Sequence, residues 1–429
     1  MSDLLRLATA GSVDDGKSTL VGRLLYDTKS VLADQIDAVT RASVDKGLAT
    51  PDLSLLVDGL RAEREQGITI DVAYRYFATP KRSFVLADTP GHVQYTRNTV
   101  SGASTAQLVI LLVDARKGVI EQTRRHAAVM ALLGVPRLVL AVNKIDLVDD
   151  AAAVFQRIVA EFSELTTKLG WSQDDVVEIP VSALHGDNVA SRSKNTPYYT
   201  GPSLIEHLES VPVDADARGR HQVGLRFPVQ YVIRPRTADH PDYRGYAGQV
   251  TAGVVSKGDE VVVLPSGTRT TVERIDTPNG ELDSAQPGRS VTLILADDVD
   301  VSRGDMIASA ADAPEPVDSF DATVCWLGDK PLRAGARLLL KHGTRTTQAI
   351  VGALLERFDE QRLAADPEAE SLSLNDIGRI SLRVADPIAA DDYRVNRHTG
   401  SFLLIDPSGG NTLAAGLVGD ALTAVEVGS

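Results

Sequence analysis

Gly11-Ser12-Val13-Asp14-Asp15-Gly16-Lys17-Ser18, followed by Thr19, is the stretch that decides the fold. Its spacing of Gly, four residues and Gly-Lys-Ser is typical of a phosphate-binding loop between a strand and a helix. The glycines let the backbone curl around a polyphosphate, while successive N–H groups and the helix N-terminus supply positive potential. Lys17 would reach the β- and γ-phosphates, and the Ser18 hydroxyl would hold Mg²⁺. A glycine turn without a ligand is the alternative interpretation of the pattern alone.

The surrounding sequence gives the loop the setting that this pattern requires, because a predicted strand precedes it and a predicted helix follows. Up to about residue 210, short apolar runs alternate with stretches of helical spacing. Such alternation favours a mostly parallel sheet covered on both faces, with ligands at the carboxyl ends of the strands. The predicted strands are 4–10, 84–87, 108–113, 138–142 and 176–179, and the predicted helices are 17–25, 94–103, 121–133 and 151–169.

A second element, Asp88-Thr89-Pro90-Gly91-His92, follows directly after the apolar run 84–87. A carboxylate at the end of a strand suits a water-mediated contact with Mg²⁺, and the Gly91 N–H would sense a γ-phosphate. Asp-Thr-Pro-Gly also has strong turn chemistry of its own, so the segment by itself fits a surface turn equally well. Because the segment follows a phosphate loop in the sequence, a role in nucleotide binding is favoured over a surface turn.

Two further elements would bind the base. Asn143-Lys144-Ile145-Asp146 follows the run 138–142, and a carboxylate there can accept both the N1–H and the N2–H of guanine, whereas adenine lacks these donors. A hydrogen-bonding site rejects a ligand without the right partner by about 10⁴-fold, because a buried polar group is left unpaired. Ser182-Ala183-Leu184, after the run 176–179, would complete the pocket through backbone contacts. A helix-capping turn is the alternative for 143–146 alone, but the four elements together predict a site for GTP and Mg²⁺.

The second half of the chain has a different pattern, typical of small antiparallel barrels. Polar, turn-prone stretches at 213–220 and 309–317 predict linkers, and residues 357–370 are charged and loop-like. We therefore expect an α/β P-loop GTPase domain at 1–212, a β-barrel at 220–310 and a second β-barrel at 317–429. The predicted barrel strands are 229–233, 246–255, 260–264, 270–275 and 290–294, then 338–341, 348–355, 380–384 and 401–405.

Composition limits what else the chain can be. Its 429 residues suggest about three domains, and a net charge of −14 disfavours a broad basic face, so no nucleic-acid partner is expected. Cys325 is the single cysteine, which excludes an intrachain disulfide and a cysteine-based metal cluster. The start of the chain lacks a signal-peptide pattern, and the runs 108–113 and 138–142 are too short to cross a bilayer. We expect a cytoplasmic protein with no membrane contact.

The four elements, in this order, resemble the translation-factor class of GTPases, which includes elongation factor Tu. Arg61-Ala62-Glu63-Arg64-Glu65-Gln66-Gly67-Ile68-Thr69-Ile70 is similar to the first switch of that class. The resemblance implies that Thr69 binds Mg²⁺ only when a γ-phosphate is present, and that His92 orients the attacking water. Catalytic roles are thus expected for Lys17, Thr69 and His92, and metal contacts for Ser18, Thr69 and Asp88. Asp15 is a departure, since elongation factor Tu has histidine at that position.

Segments along the whole chain resemble a more specific family within this class. They lie at 12–18, 24–27, 58–67, 73–77, 94–98, 123–126 and 396–406. They look like the large, GTP-hydrolysing subunit of bacterial sulfate adenylyltransferase. The resemblance implies that GTP hydrolysis drives the formation of adenosine 5′-phosphosulfate and pyrophosphate from ATP and sulfate. A smaller ATP-sulfurylase subunit would carry the adenylyl-transfer site. Some relatives also carry a fused adenylylsulfate kinase; this chain has no second phosphate loop and ends at Ser429, so we expect that activity to be absent.

Two other functions share the phosphate loop and the switches. A translation factor that delivers aminoacyl-tRNA is disfavoured by the charge of −14 and by the resemblance at 396–406. A regulatory GTP-binding module without a coupled reaction is the third interpretation. Basic residues at 341–345 and 394–397 fit a surface for the partner subunit, although a solvated face explains them better.

Overall fold

The computed structural model describes residues 4–45, 47, 51–57, 72–91, 96–212, 223–235, 243–359 and 364–421. Contacts divide the chain into two compact units; the first holds the described residues up to 212, and the second holds most of those from 223 onward. The predicted switch at 61–70, the linker at 213–220 and the two predicted site residues Thr69 and His92 lie outside the described residues.

The first unit is the predicted α/β domain, and its sheet has six strands, one more than the sequence indicated. Its strands are β1 (Leu4–Gly11), β2 (Ala73–Ala78), β3 (Ser83–Asp88), β4 (Leu108–Asp114), β5 (Arg137–Asn143) and β6 (Val176–Pro180). Its described helices are α1 (Lys17–Asp27), α2 (Ala33–Asp45), α3 (Thr96–Ala103), α4 (Glu121–Leu132), α5 (Ala151–Lys168) and α6 (Leu204–Ser210). The strand order is β2-β3-β1-β4-β5-β6, and only the edge strand β2 runs antiparallel to its neighbour among these pairs.

The central strands are buried on both faces, which explains their continuous apolar sequences. Every residue of β4 is buried, and β5 is buried from Leu138 onward. Strands β3, β4 and β5 end on the polar residues Asp88, Asp114 and Asn143, while β1, which lies between β3 and β4, ends on Gly11. The parallel register therefore brings the end of the loop-bearing strand and three polar side chains to one edge of the sheet.

The second unit contains two closed barrels of six antiparallel strands each. The first barrel consists of β7 (Arg226–Ile233), β8 (Gly245–Gln249), β10 (Glu260–Leu264), β11 (Thr268–Thr277), β14 (Ser290–Leu295) and β15 (Met306–Ser309), with the short strands β9 (Val255–Ser256), β12 (Gly280–Leu282) and β13 (Ser284–Ala285) beside them. The order β10-β15-β7-β8-β14-β11 closes because β10 also pairs with β11. Phe227, Val229 and Leu293 lie in its core.

The second barrel consists of β16 (Pro316–Trp326), β17 (Arg337–His342), β18 (Arg345–Asp359), β20 (Ile377–Ala389), β21 (Ser401–Ile405) and β22 (Thr412–Val418), with the short strand β19 (Ala364–Asp366) at the end of β18. The order β17-β21-β22-β16-β20-β18 closes through the pairing of β17 with β18. Leu340, Leu382 and Leu404 lie in its core. Both barrels confirm the predicted fold class.

Several details differ from the sequence-based expectation. The strand predicted at 246–255 is interrupted, because β8 ends at Gln249 and Gly253 has a φ of 65° before β9 begins. A Cβ at Gly253 would lie 2.4 Å from the Gly224 carbonyl carbon, so the close approach of two backbones needs glycine there. The linker predicted at 309–317 is shorter, since Pro316 already belongs to β16.

Candidate functional site

The phosphate loop is the tight turn between β1 and α1. Gly11, Asp14 and Gly16 have φ angles of 145°, 66° and 94°. A Cβ at Gly11 would lie 2.8 Å from the carbonyl oxygen of Leu112, and a Cβ at Gly16 would lie 2.3 Å from Nδ2 of Asn143. Carbon atoms do not approach polar atoms so closely, so both positions require glycine. The sequence pattern thus has a steric cause that is visible in the fold.

Lys17 lies inside this loop as the first residue of α1. Its side chain is 7% exposed, and Nζ donates to the carbonyl oxygens of Gly11 at 2.9 Å and Ser12 at 2.8 Å. Burial lowers the pKa of the amine, while the nearby carboxylates of Asp88 and Asp15 act in the opposite direction. The loop backbone therefore holds a largely buried amine at the carboxyl edge of the sheet, where phosphate is expected.

The Asp88–Gly91 segment packs directly against the loop. The Asp88 carboxylate is buried, and its Oδ1 accepts from the hydroxyl of Thr9 at 2.9 Å. The hydroxyl of Thr89 donates to the Thr9 carbonyl at 2.6 Å. A Cβ at Gly91 would lie 2.3 Å from Nζ of Lys17, so glycine lets the two segments approach. The structure therefore brings the first two predicted elements together.

Asn143 connects the phosphate loop to the base-binding segments. Its Nδ2 donates to the backbone carbonyl of Asp15 at 2.7 Å, and its Oδ1 accepts from the backbone N–H of Ala183 at 3.0 Å. The side chain is 2% exposed. A buried amide whose donor and acceptor are both used fixes the relative position of the segments that it joins.

Lys144 has a φ of 60° and crosses over the phosphate loop. Its Nζ donates to Oδ2 of Asp114 at 3.0 Å and to the carbonyl of Asp14. Burial alone would raise the pKa of Asp114, but hydrogen bonds from Arg116 and Lys144 outweigh it and hold that pKa well below its usual range. Asp114 therefore stays ionised and anchors the lysine.

Asp146 lies in a short 3₁₀-helix, Ile145–Leu147, directly after β5. The backbone N–H of Ile145 donates to the Val181 carbonyl at 3.3 Å, which places this helix beside residues 182–184. The Asp146 carboxylate is partly exposed, and its Oδ2 lies 3.7 Å from Nε2 of His185. The third and fourth predicted elements thus meet, with a carboxylate accessible to a base.

Arg23 connects α1 to the predicted base-binding segment 182–184, a contact that the sequence does not indicate. From α1, its Nε donates to the carbonyl of Ala183 at 3.2 Å, and its Nη2 donates to the carbonyl of Leu184. The same side chain forms an ion pair with Asp27 one helical turn further on. Arg23 and Ala183 are 160 residues apart, so no local pattern could have indicated the contact. The sequence analysis also omitted Asp114, although a carboxylate at the end of a buried strand is itself an indication of a site residue.

His126 belongs to α4 and lies near the first two elements. It is 3% exposed, and its Nε2 lies 3.1 Å from Nε2 of Gln122. The Gln122 amide also approaches the Gly91 carbonyl at 3.4 Å. Burial lowers the pKa of His126 to about 3, with Lys17 adding to the effect and hydrogen bonding to the Gly91 backbone opposing it. A neutral imidazole therefore supports the junction of the first two elements.

Among the described residues, no group of three or more His, Cys, Asp or Glu side chains is arranged to hold a metal ion. Among helices α1 to α6, none is both long and apolar enough to cross a membrane.

Comparison with known proteins identifies a GTP-binding domain at the start of the chain. The family model of the elongation factor Tu GTP-binding domain matches residues 2–217, and the model described as GTP-eEF1A C-terminal domain-like matches residues 319–419. A relative from Mycobacterium tuberculosis named bifunctional enzyme CysN/CysC is 56% identical over 97% of this chain, which spans 67% of that protein. Proteins named sulfate adenylyltransferase subunit 1 from Bacteroides fragilis and Aeromonas hydrophila are 49% and 48% identical over 97% and 98% of this chain.

The two relatives named as subunit 1 are covered over 86% and 87% of their own length, so the similarity includes the GTPase domain and both barrels. The elongation factor models match two separate domains of the chain. The relatives named as subunit 1, in contrast, match nearly the whole chain. Both resemblances inferred from the sequence motifs are confirmed. The chain belongs to the sulfate adenylyltransferase subunit 1 family, and its nucleotide-binding domain is of the elongation factor Tu type.

Proposed function

We propose that this chain is the GTP-hydrolysing subunit of sulfate adenylyltransferase. It would couple GTP hydrolysis to the formation of adenosine 5′-phosphosulfate and pyrophosphate from ATP and sulfate on a partner catalytic subunit. The observation that carries the proposal is 48–56% identity, over 97% or more of this chain, to sulfate adenylyltransferase subunit 1 and CysN/CysC proteins. The assembled phosphate loop and base-binding segments support the same conclusion.

The phosphate side of the site supports binding of a triphosphate. The N–H groups of residues 13–18 and the amino end of α1 would cradle the phosphates. Lys17 would neutralise charge that develops on the β- and γ-phosphates during in-line attack by water. Gly91, packed against Lys17, would donate its N–H to the γ-phosphate and so respond to its loss. We assign the orientation of the attacking water to His92.

The donor set also fits Mg²⁺, which prefers oxygen ligands and usually takes one or two from the protein beside phosphate oxygens. The Ser18 hydroxyl in the first turn of α1 and the Asp88 carboxylate at the end of β3 would supply such oxygen ligands. We assign the third contact to Thr69. When bound, Mg²⁺ would stabilise the negative charge of the transferring phosphoryl group.

Guanine recognition would depend on the carboxylate of Asp146, which would accept the N1–H and N2–H of the base. Residues 182–184, held by Arg23 and Asn143, would line the pocket through their backbone. An adenine ring would leave the carboxylate without donors, which disfavours ATP by about 10⁴-fold. The small ATP-sulfurylase subunit would then bind ATP in its own site.

We further propose the domain limits 1–212, 220–310 and 317–429 and a cytoplasmic location.

The experiment is to co-express this chain with the small subunit and measure sulfate-dependent release of pyrophosphate from ATP. We expect release to rise at least tenfold when GTP is added, and not when a non-hydrolysable GTP analogue replaces it. GTP turnover without any effect on pyrophosphate release would instead indicate a regulatory GTP-binding module. Failure to isolate a complex with the small subunit, together with specific binding of aminoacyl-tRNA, would favour a translation factor.

A further inference from the structure

Asp15 is a buried residue of the phosphate loop. The residue is 2% exposed, and its Oδ2 accepts from the backbone N–H of Ser12 at 2.7 Å. Its backbone carbonyl accepts from Nδ2 of Asn143 at 2.7 Å. Side chain and main chain are therefore both held in place, and the charge has a fixed position within the loop.

A buried carboxylate is an unusual neighbour for a site that must bind phosphates. The loop from 11 to 18 contains one lysine and two aspartates, and Asp14 is exposed whereas Asp15 is buried. Burial raises the pKa of Asp15, while the Ser12 N–H and the positive charges of Lys17 and Lys117 favour its ionised form. Solvent screens an exposed charge such as Asp14 far more than a buried one.

The hydrogen bond to Ser12 does not by itself require a negative charge. A neutral amide or hydroxyl oxygen at position 15 would accept the same N–H and keep the shape of the loop. The negative charge of Asp15 is therefore not needed to shape the loop. Its additional effect is to repel the phosphates that the loop would bind.

We propose that Asp15 is a built-in counter-charge that limits how tightly the phosphate loop holds guanine nucleotides and so speeds the release of GDP. This inference rests on the proposed GTPase function of the same site. At an effective dielectric constant of about 20, two unit charges about 12 Å apart already correspond to roughly a tenfold change in affinity. The effect should grow with the number of phosphates, because each adds negative charge.

The test compares the full chain with its Asp15→Asn variant, which removes the charge and keeps an oxygen acceptor for Ser12. Asp15→Ser is a second neutral variant in case the first does not fold, and Asp174→Asn, at an exposed position, is the matched control. The probe is GDP carrying a fluorescent ribose label, chased with unlabelled GDP in Mg²⁺ buffer. We expect labelled GDP to leave both neutral variants about tenfold more slowly, with the control unchanged.

A second measurement separates charge from loop shape. Guanosine, GMP, GDP and GTP are titrated against each protein, and the gain in affinity of Asp15→Asn should rise from none for guanosine to its maximum for GTP. An equal change for all four ligands, or GDP release that is unchanged or faster in the neutral variants, would overturn the inference. If the unsubstituted chain bound no guanine nucleotide, the proposed function would fail as well, so the two failures are distinguishable.

Discussion

The side-chain amide of Asn143 donates to the backbone carbonyl of Asp15 across 128 residues of sequence, at 2.7 Å. The oxygen of the same amide accepts from the Ala183 N–H. One buried side chain thus joins the loop expected to hold phosphate to the segment expected to hold the base. Through this link, a change in the shape of the phosphate loop can alter the position of the base-binding segment, and the reverse.

Replacing Asn143 with Ala should weaken both the fold and nucleotide binding. The change leaves the buried Asp15 carbonyl and Ala183 N–H unpaired, which costs about 3 kcal/mol in total. We expect a fall of that size in the free energy of unfolding in urea and at least a tenfold loss of GDP affinity. Asn279→Ala, at an exposed position, is the control. Unchanged GDP affinity in the Asn143 variant would contradict the linking role.

Replacing Lys17 with Ala should abolish GTP hydrolysis. The amine is the buried cation that the loop carbonyls of Gly11 and Ser12 hold in place, and its loss removes charge stabilisation from the transferring phosphoryl group. We expect at least a 100-fold fall in phosphate release from GTP in single-turnover assays. The exposed Lys257→Ala variant should keep normal activity. Undiminished turnover in the Lys17 variant would refute the assignment of this loop.

Replacing Asp146 with Asn should change which base the site prefers. An asparagine amide can donate to the C2 carbonyl of xanthine and accept its N1–H, but it cannot accept two donors from guanine. The ratio of XTP to GTP affinity should therefore rise by roughly 100-fold or more. The control is Asp149→Asn, three residues further on and exposed. Guanine selectivity that survives the substitution would show that another group recognises the base.

His126 should make the native state sensitive to acid. Burial lowers its pKa to about 3, whereas an unfolded histidine has a pKa near 6.5, so between these values the unfolded chain binds a proton that the native site refuses. This contribution to stability is complete above pH 6.5 and is lost as the pH falls. We expect His126→Gln to remove about 2 kcal/mol of the difference in unfolding free energy between pH 7 and pH 5.

The dependence will not vanish completely in that variant, because burial also lowers the pKa of His207 to about 4. Urea denaturation at a series of pH values measures both contributions, and a double variant with His207→Gln should have the flattest profile. An identical pH profile for the His126 variant and the unsubstituted chain would show that the imidazole is not held neutral.

Replacing Arg226 with Ala should destabilise the second unit. Arg226 of β7 is 2% exposed and forms two hydrogen bonds of 3.1 Å with the Asp391 carboxylate, which lies beyond β20 in the second barrel. Removing one member of a buried ion pair costs about 3–5 kcal/mol, because the other charge stays buried without its partner. Urea denaturation should show this loss, whereas the exposed Arg269→Ala variant should not. A loss below 1 kcal/mol would contradict the account.

The sequence was most informative where burial is complete. The strands β4 and β5 were predicted within one residue at either end because strands covered on both faces need continuous apolar runs. The edge strand β2 was missed, since Phe77 is the only buried residue in its sequence AYRYFA and both tyrosines are exposed. Helix α2 was missed for a similar reason, because only Val39 and Ser43 are buried in it.

Site residues could be predicted where one local motif positions the atoms. The order of motifs placed the phosphate loop, Asp88 and Asn143 at the same sheet edge, and the structure brings them together. Contacts between distant segments could not be predicted, because the local sequence does not show which side chains of other segments lie nearby in the fold. Arg23 with Ala183 and Arg226 with Asp391 are of this kind, at separations of 160 and 165 residues.

We infer that the first unit contains a guanine-selective site that distinguishes a triphosphate from a diphosphate. Equilibrium titration of the purified full chain with GTP, GDP and ATP in Mg²⁺ buffer tests it most directly. We predict saturable binding of GTP and GDP with different affinities, and ATP binding at least 1,000-fold weaker than GTP binding, from the unpaired-carboxylate argument. Preference for ATP, or equal affinity for GTP and GDP, would contradict the claim.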